Sequence, residues 1–393
     1  MSGAQASSDS WAEFSQRMAR LGRELAVAPF PVGPRETAEG YRYLARLTVL
    51  GLQWAVEFND PDFPAFYRHD DDVTKWGGPN VDNRYMRARV RGANAYRIVG
   101  NGSSSHGFLI STHEGDMQLE QYGVYSEVWH DELVSDDQGN FELLISAERD
   151  PDAANWIPLH PDTTNITIRE YFNDWSLHTP GEFRIERVGG EGEQQAPVTP
   201  AQIARRLDEA AQWIDSSLHY WNTFVAGVRA KAPVNSMQSS GSELGGANDI
   251  AYGFGICNLA DDEAFVVEGD VPDAWLWNFL LYNGGWFESL DIANRVTSRN
   301  GTQIVVDEDG RFRLVVCHHD PGVPNWIDTT GLTETMIAYR YVRTATKPIP
   351  SGRVVKLADL ADVLPASTPR VTPAQRRDEI AMRQRHVAAR FRR

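Results

Sequence analysis

Apolar residues recur with a period of two in two widely separated stretches of the chain. Phe141, Leu143 and Ile145 share one phase in the first stretch, and the second stretch begins the same phase at Phe312. This alternation is typical of a strand with one buried face, and the Asp and Gly residues ahead of each stretch predict a turn. Short strands bounded by such turns predict a mainly β fold of antiparallel β-sandwich or jelly-roll-like units with flanking helices.

Other segments carry apolar residues every three or four positions, which is the spacing of an amphipathic helix. The clearest stripe runs from Ile203 to Val228, behind Thr199 and Pro200, which suit the cap and the first position of a helix. The remaining predicted helices cover residues 10–25, 39–58 and 372–393.

The motif D-P-x-x-x-N-W-I occurs twice, beginning at Asp150 and again at Asp320. The match extends to other positions, among them Tyr171 with Tyr341, and each copy ends in a helix that begins with Thr-Pro. We therefore interpret the chain as an internal duplication. The predicted parts are an N-terminal helical segment (1–60), a first β-sandwich unit (61–197), a connecting long helix (198–232), a second β-sandwich unit (233–345), and a linker with a basic C-terminal helix (346–393).

The repeated motif lies where a strand is expected to end, because Pro cannot continue a central ladder. Its presence in both copies favours a shared structural role at the end of the strand. The alternative makes Trp156 and Trp326 the walls of two related pockets. Trp277, in another Trp-bearing strand, is a further candidate for a pocket wall.

The composition of the chain argues against some classes of binding partner. The chain has 393 residues with a formal charge of −16 and a pI near 5.1, and such an acidic surface repels nucleic acid and anionic lipid. Cys257 and Cys317 lie in apolar runs, which fits a reducing compartment. The chain start resembles no signal peptide and no apolar run is long enough to span a membrane. We therefore expect a cytoplasmic protein, with the last helix docked on its own body or on a neighbouring subunit.

A row of arginines follows residue 80. Tyr85, Arg87 and Arg89 share one face of a predicted strand, while Met86 and Ala88 share the other. The corresponding part of the second copy is apolar. Such a row can hold a carboxylate, sulfate or phosphate. The alternative is a solvated face that pairs with the many acidic residues.

A histidine continues the inward phase of the second repeated strand. His318 stands where the first copy has Ala147, and His319 and Asp320 follow it. This grouping suits a general base or a ligand, and the alternative is a hydrogen-bonded histidine at the rim of a core. Asp82 lies just before the arginine row, behind the two glycines of K-W-G-G, which allow a tight turn or the close approach of a ligand. The run Asp70–Asp72 lacks the spacing of a calcium loop, so we expect an exposed acidic loop there.

These stretches resemble a bacterial family called domain of unknown function 1214, which is often found beside the related domain 1254. The resemblance is carried by "KWGGPNVDN", "AYRIVG", "NFLLYNGGWFESLD" and "DGRFRLVVCHHDPGVPNWIDTTG", and it covers the chain from about residue 40 to the end. It implies β-rich halves and an association with small-molecule catabolism. Pro79 departs from the acidic residue expected in the first of these stretches.

We expect a cofactor-independent hydrolase, lyase or isomerase that acts on a small, mostly apolar organic molecule. No cofactor is predicted, although a divalent metal at His318 or His319 stays open. The alternatives are a non-catalytic carbohydrate- or metabolite-binding protein and a structural or assembly protein. We expect a small-molecule ligand, no nucleic acid or membrane partner, and a homodimer. The candidate catalytic residues are His318, Asp82 and Asp320, and the candidate substrate-binding residues are Arg87, Arg89, Tyr85, Trp326, Trp156, Trp277 and His319.

Overall fold

The computed structural model describes residues 3–239, 241–242 and 245–392. Among these residues, no helix is both long enough and apolar enough to cross a membrane. The helices are α1 (Gly3–Glu24), α2 (Pro34–Leu52), α3 (Pro200–Lys231), α4 (Leu360–Val363) and α5 (Pro373–Phe391), with a π-helical turn at Gln53–Glu57 and 3₁₀ turns at Met117–Leu119, His130–Glu132 and Leu357–Asp359.

Contacts divide the chain into two compact units. The first unit comprises residues 1–76, 83–171 and 180–221, and the second comprises residues 77–82, 172–179 and 222–393. Two short segments from the first half of the chain, 77–82 and 172–179, make their contacts within the second unit.

The first unit is a sandwich of two sheets. The five-stranded sheet has the order β1 (Tyr67–Asp70), β2 (Asn83–Arg89), β8 (Asn165–Tyr171), β4 (Gly107–His113) and β5 (Val124–Trp129). The four-stranded sheet has the order β7 (Trp156–Pro158), β6 (Asn140–Ser146), β3 (Tyr96–Asn101) and β9 (Glu182–Arg187). The core between them takes Met86 and Ile168 from one sheet and Ile98 and Leu143 from the other.

The second unit repeats this arrangement. One sheet has the order β10 (Ile250–Asn258), β16 (Glu334–Thr344), β12 (Ala274–Asn283) and β13 (Ser298–Asn300). The other has the order β15 (Trp326–Asp328), β14 (Arg311–Cys317), β11 (Glu263–Asp270) and β17 (Ser351–Lys356). Phe279, Tyr339, Val267 and Leu314 contribute to the core between them.

The duplication is visible strand by strand. Apart from β1, the order β2-β8-β4-β5 corresponds to β10-β16-β12-β13, and β7-β6-β3-β9 corresponds to β15-β14-β11-β17. The prediction of a mainly β fold with repeated sandwich units and flanking helices is confirmed. Each unit also contains one parallel pair that the antiparallel prediction omitted, because the N-W-I strand lies alongside the strand before it.

The repeated asparagine explains the shared motif. Asn155 donates to the carbonyls of Val134 and Glu142 at 2.9 Å and accepts from the amide of Val134. Asn325 makes the same three bonds with Val305 and Arg313. The motif therefore ties a loop to a strand in both copies, which is a structural role.

One sequence match has the wrong register. Tyr171 pairs with Gly107 and points away from the first core, whereas Tyr341 lies inside the second core. Arg169 pairs with Tyr85 in the first unit, and Arg340 pairs with Tyr252 in the second. Arg340 is therefore the residue that corresponds to Arg169. Period-two patterns fix a face only when the register is known, and a slip of one residue exchanges the faces.

The basic helix α5 packs within the second unit. Arg376 pairs with Asp320 at 2.9 Å, and Arg390 donates to the carbonyl of Val81 at 2.6 Å. Arg383 is fully buried, and burial lowers the pKa of its guanidinium to about 10. The expectation that this helix docks on the protein's own body is met by these contacts.

Candidate functional site

The five-stranded sheet has one side that faces away from the sandwich core. We call this side, with Tyr85, Arg87, Ser111, His113 and Arg169, the first outer face. The pairing registers place Tyr85 opposite Arg169, and Arg87 and Ser111 on either side of Thr167. Because alternate residues of a strand point to opposite sides, Met86 and Ala88 enter the core while the arginine row does not. The predicted division of this strand into two faces is therefore correct.

Two arginines of this row stack on one indole. The guanidinium carbons of Arg87 and Arg89 lie 3.9 and 4.0 Å from the centre of the Trp54 ring. Arg87 also pairs with Asp116 at 2.7 Å, and Arg89 pairs with Glu209. Both charges are thus compensated by carboxylates of the same unit, and Arg87 is only 4 % exposed.

A β-bulge brings another histidine to this region. The register of β1 against β2 shifts between Arg68 and Asp70, and the extra residue is His69. A bulge re-aims side chains at the edge of a sheet. His69 and Asp70 are 6 % and 5 % exposed, so the expectation of an exposed acidic run is wrong for Asp70. Asp70 accepts a bond from the backbone amide of Trp76, and that tie holds the loop inward.

Several buried polar atoms of the first outer face have no hydrogen-bond partner. Within the described residues, they include Nδ1 of His69, Nε2 of His113 and both terminal atoms of the Gln118 side chain, and Nε of Arg87 is another. All four residues are less than 8 % exposed. Buried polar atoms are paired in most proteins, so each exception needs a water, an ion or a ligand as its explanation.

Electrostatics keep both imidazoles neutral. Burial lowers the pKa of His69 well below its ordinary value, and the positive charges of Arg87 and Arg169 add to the effect. Burial and the same two arginines lower the pKa of His113 in the same direction. A neutral imidazole retains a basic nitrogen, so each side chain is able to accept a proton or a hydrogen bond.

Arg169 differs from its two arginine neighbours. Its Nη1 donates to Ser111 Oγ at 3.0 Å, and no salt bridge joins it to any carboxylate in the described part of the chain. Arg169 is therefore a cation, next to two neutral histidines, whose bonding capacity the protein leaves largely unused.

An open groove adjoins the first outer face at the end of β2. It has a volume of about 580 Å³, and Arg89, Glu209, Gln121 and Thr163 contribute to its lining. Because the Arg89 guanidinium also stacks on Trp54, this side chain borders both the groove and the buried arginine row.

The corresponding side of the second unit, the second outer face, carries Tyr252, Asn278, Tyr282, Asn300 and Arg340. The segment 77–82 covers it. Arg340 donates to the Gly78 carbonyl at 2.6 Å, and the Tyr282 hydroxyl bonds the Gly78 and Pro79 carbonyls at 2.9 Å. Gly77 and Gly78 have φ values of +64° and +65°, and a Cβ on Gly78 would lie 2.1 Å from the Phe287 ring. The two glycines are therefore required for the turn and for its close packing.

Asp82 ends this segment as a buried carboxylate. Its Oδ1 accepts from Trp175 Nε1 and Asn300 Nδ2 at 2.7 Å each, and its Oδ2 accepts from Asn278 Nδ2 at 2.5 Å. Burial raises the pKa of Asp82, while these donors and Arg390 oppose the rise. Its oxygens are already engaged by the protein, so the arrangement is that of an anchor.

The three candidate catalytic residues lie in separate environments of the second unit. His318 contacts the Leu259 carbonyl through Nε2 at 3.1 Å and the Thr329 hydroxyl through Nδ1 at 2.6 Å. Asp320 pairs with Arg376, and His319 is exposed. Within the described residues no hydrogen bond or ion pair joins His318 to Asp82 or to Asp320. Their joint role in proton transfer stays a prediction, and the geometry supplies no hydrogen-bonded chain for it.

The candidate tryptophans are also engaged by the protein. Trp156 donates to Ser146 Oγ at 3.0 Å, and Trp326 donates to the Cys317 carbonyl at 3.2 Å. Trp277 lies inside the second sandwich core against Phe312. Tyr85 is the remaining wall candidate, and its ring meets that of His69 at 5.7 Å. No group of three His, Cys, Asp or Glu side chains suited to a metal ion occurs among the described residues.

Sequence reasoning missed His69, His113 and Arg169. His113 and Arg169 lie in the alternating runs "FLISTH" and "ITIREY", where the period of two places each polar side chain opposite the apolar ones. That signal was available for these two residues. No such pattern marks His69, because it is the β-bulge that brings this side chain to the region of the first outer face.

Comparisons with known proteins identify a family. A family model described as "Protein of unknown function (DUF1214)" matches residues 88–174. The crystal structure of a putative uncharacterized protein from Burkholderia cenocepacia is 32 % identical, with a TM-score of 0.83, and the match covers 91 % of this chain and 99 % of that one. The VPA0106 protein from Vibrio parahaemolyticus is 12 % identical, with a TM-score of 0.45 over 80 % and 98 % of the two chains. No curated protein matches the chain.

Proposed function

We propose that this chain, which belongs to the family described as "Protein of unknown function (DUF1214)", is an enzyme that acts on a small, mostly apolar organic molecule at the first outer face. One observation supports the site above the others. Two buried, neutral imidazoles each keep an unpaired ring nitrogen, next to an arginine that has no carboxylate partner in the described structure.

The roles follow from the chemistry of these groups. Arg169 binds an anionic or carbonyl oxygen of the ligand, because Arg87 and Arg89 already pair with carboxylates. His69 or His113 accepts a hydrogen bond or a proton through its unpaired ring nitrogen, and the negative charge of a bound ligand opposes the arginine charges that lower the pKa of both imidazoles. Trp76 and Tyr85, whose rings meet the His69 ring edge-on, provide the apolar wall. Hydrolysis, elimination and isomerisation each need a base and a positioned oxygen-binding group.

Two further features support the wider proposal. Both cysteines are buried and neither forms a disulfide, which supports a reducing, cytoplasmic location. The groove beside Arg89 supplies a solvent-facing approach at the end of the arginine row. A non-catalytic metabolite-binding protein uses the same site, and it differs from the enzyme only in that the bound molecule is released unchanged.

The first experiment is native mass spectrometry of gently purified protein, followed by extraction of any retained molecule. We expect a small-molecule mass on the wild type and on His319→Ala, whose histidine is exposed, and none on His113→Leu. Fresh protein is then incubated with the extracted molecule. A product formed by the wild type but not by His69→Gln supports the enzyme, and unchanged release supports a binding protein. A bare protein whose crystal structure shows ordered water at both imidazoles would contradict both.

A further inference from the structure

The two outer faces share a Tyr–Arg pair at the same place in the repeat. Tyr85 opposes Arg169 in the first unit, and Tyr252 opposes Arg340 in the second. The third strand continues the correspondence, with Leu109 next to Arg169 and Asn278 next to Arg340. The second unit therefore shows what such an arginine binds when its site is filled.

In the second unit the arginine binds a carbonyl oxygen. Arg340 Nη2 donates to the Gly78 carbonyl at 2.6 Å, and the same segment brings the amide of Asn80 and the carboxylate of Asp82 onto the face. The occupant therefore presents planar carbonyl, amide and carboxylate groups. It is a piece of the protein's own chain, so the second outer face has no need of a ligand.

In the first unit the corresponding acceptor is missing from the described residues. Arg169 bonds only the neutral Ser111 hydroxyl, while its neighbours have Asp116 and Glu209 as counter-ions. Burial lowers the pKa values of His69 and His113, so neither ring adds a positive charge, and burial raises the pKa of Asp70 well above its ordinary value. A mostly buried guanidinium without a counter-ion favours an anion that brings one negative charge.

The shape of the surroundings selects among anions. The His69 ring lies edge-on to Trp76 at 5.9 Å and to Tyr85 at 5.7 Å, and Trp76 stands 5.2 Å from Trp213. These rings make an apolar wall of flat surfaces, which suits a hydrocarbon body better than a second charged group. A carboxylate is planar and matches the fork of a guanidinium with two parallel hydrogen bonds.

We propose that the ligand of the first outer face is a small monocarboxylate with an apolar body, bound through its carboxylate to Arg169. This inference rests on the proposed function, since it names the substrate class of that same site. It also assigns Arg169 as the residue that sets the preference for a charged ligand over its neutral amide.

The test compares benzoate and butyrate with their neutral matches benzamide and butyramide, and with inorganic phosphate. Binding is measured by calorimetry and by the imidazole NMR signals of His69 and His113. The proteins are the wild type, Arg169→Gln, Arg169→Lys and the control Arg184→Gln, whose arginine is exposed on β9 of the other sheet of the first unit.

We expect the wild type and Arg184→Gln to bind the carboxylates more tightly than the amides. Arg169→Gln should weaken carboxylate binding by about ten- to a hundredfold, the loss expected for charge-assisted hydrogen bonds, and should leave the amides unchanged. Arg169→Lys should recover part of the carboxylate affinity, because it restores the charge without the fork.

The outcomes separate the two proposals. Amides that bind as tightly as carboxylates, or phosphate that binds more tightly than both, would overturn the monocarboxylate assignment while leaving a small-molecule site in place. Carboxylate binding that is unaffected by Arg169→Gln would also overturn it. If none of the probes shifts the His69 or His113 signals, both the ligand class and the proposed site are wrong.

Discussion

The two outer faces begin from the same scaffold and end in opposite states. Each presents a tyrosine and an arginine from paired central strands. The second face is closed by residues 77–82, whose oxygens accept hydrogen bonds from Arg340, Asn278 and Asn300, although Oδ1 of Asn278 has no partner in the described structure. The first face instead gathers Arg87, His69 and His113, and leaves ring nitrogens unpaired.

The difference indicates that the two copies of the duplicated unit have different roles. Hydrogen bonds that are completed within the protein contribute to stability, whereas buried groups left unpaired cost stability. Sites that bind ligands tolerate that cost because the ligand supplies the missing partners. The second face therefore serves the fold, and the first face has the character of a binding site.

The largest effect is expected from Asp82→Ala. This change leaves the donors of Trp175, Asn278 and Asn300 without their shared carboxylate, and uncompensated buried donors cost roughly 1–3 kcal/mol each. We expect a loss of about 3–5 kcal/mol in the unfolding free energy of the second unit, measured by urea titration. Asp270→Ala, which removes an exposed ion pair with Arg311, should cost about 1 kcal/mol or less. Equal losses would show that Asp82 is not the anchor of the second face.

The next effect is expected from Gly78→Ala. An alanine at position 78 has to adopt the left-handed backbone conformation at φ +65°, and its Cβ would lie 2.1 Å from the Phe287 ring. The backbone strain and the overpacking together should cost about 3 kcal/mol of unfolding free energy. Hydrogen exchange at the amides of β12 should report the loosened face. Gly310→Ala is the matched control, because Gly310 has φ +78° and open space around it, and we expect a cost of about 1 kcal/mol. Similar costs at both glycines would contradict the close packing of the segment.

A pH-dependent effect is expected at His386. Burial, together with Arg390, Arg383 and nearby His178, lowers the pKa of this imidazole to about 2, while its ring stacks on Trp175. A lowered folded-state pKa means that the stability is fully present above the unfolded pKa near 6.5 and is lost as pH falls below it. The unfolding free energy then falls by up to about 1.4 kcal/mol for each pH unit.

His386→Phe retains the stacking and removes the titration, so exchange at the amides of α5 should become less sensitive to pH between 6.5 and 4. His219→Gln is a comparison variant, because the pKa of His219 is shifted in the opposite direction from that of His386. The Asp215 carboxylate raises the pKa of His219, so its small contribution is lost as pH rises. A pH dependence of α5 that persists unchanged in His386→Phe would assign the acid sensitivity to another group.

The smallest effect on stability is expected from His113→Leu. Because Nε2 of His113 has no partner in the described structure, replacing it with an apolar side chain should change the unfolding free energy of the first unit by less than about 1 kcal/mol, in either direction. Asn300→Leu on the second face removes four bonds, two donated to Asp82 and Asn173 and two accepted from Thr302, and should cost about 2–4 kcal/mol. A large destabilisation by His113→Leu would mark the first face as structural as well.

Local patterns were enough to predict much of the fold. The period of two in "FELLIS" and "RFRLVVC" gave the strands and their faces, and Thr372 caps α5 with Gln375 in a reciprocal pair of bonds. The arginine row was assigned to one face of a strand, which is where it lies. These features depend on residues that are close in sequence, so the sequence alone determines them.

The tertiary structure decided which side chains meet. Nothing local in the sequence indicates that Asp82 anchors the second face, because its partners Asn278 and Asn300 are about 200 residues away. The bulge that turns His69 inward and the register that aligns Arg169 with Arg340 arise from the pairing of strands. Long-range pairing is set by the packing of the whole sandwich, and a shift of one residue would exchange the faces. The repeated scaffold follows from local patterns along the chain, whereas contacts between distant residues place residues 77–82 on the second outer face and leave ring nitrogens of His69 and His113 unpaired on the first.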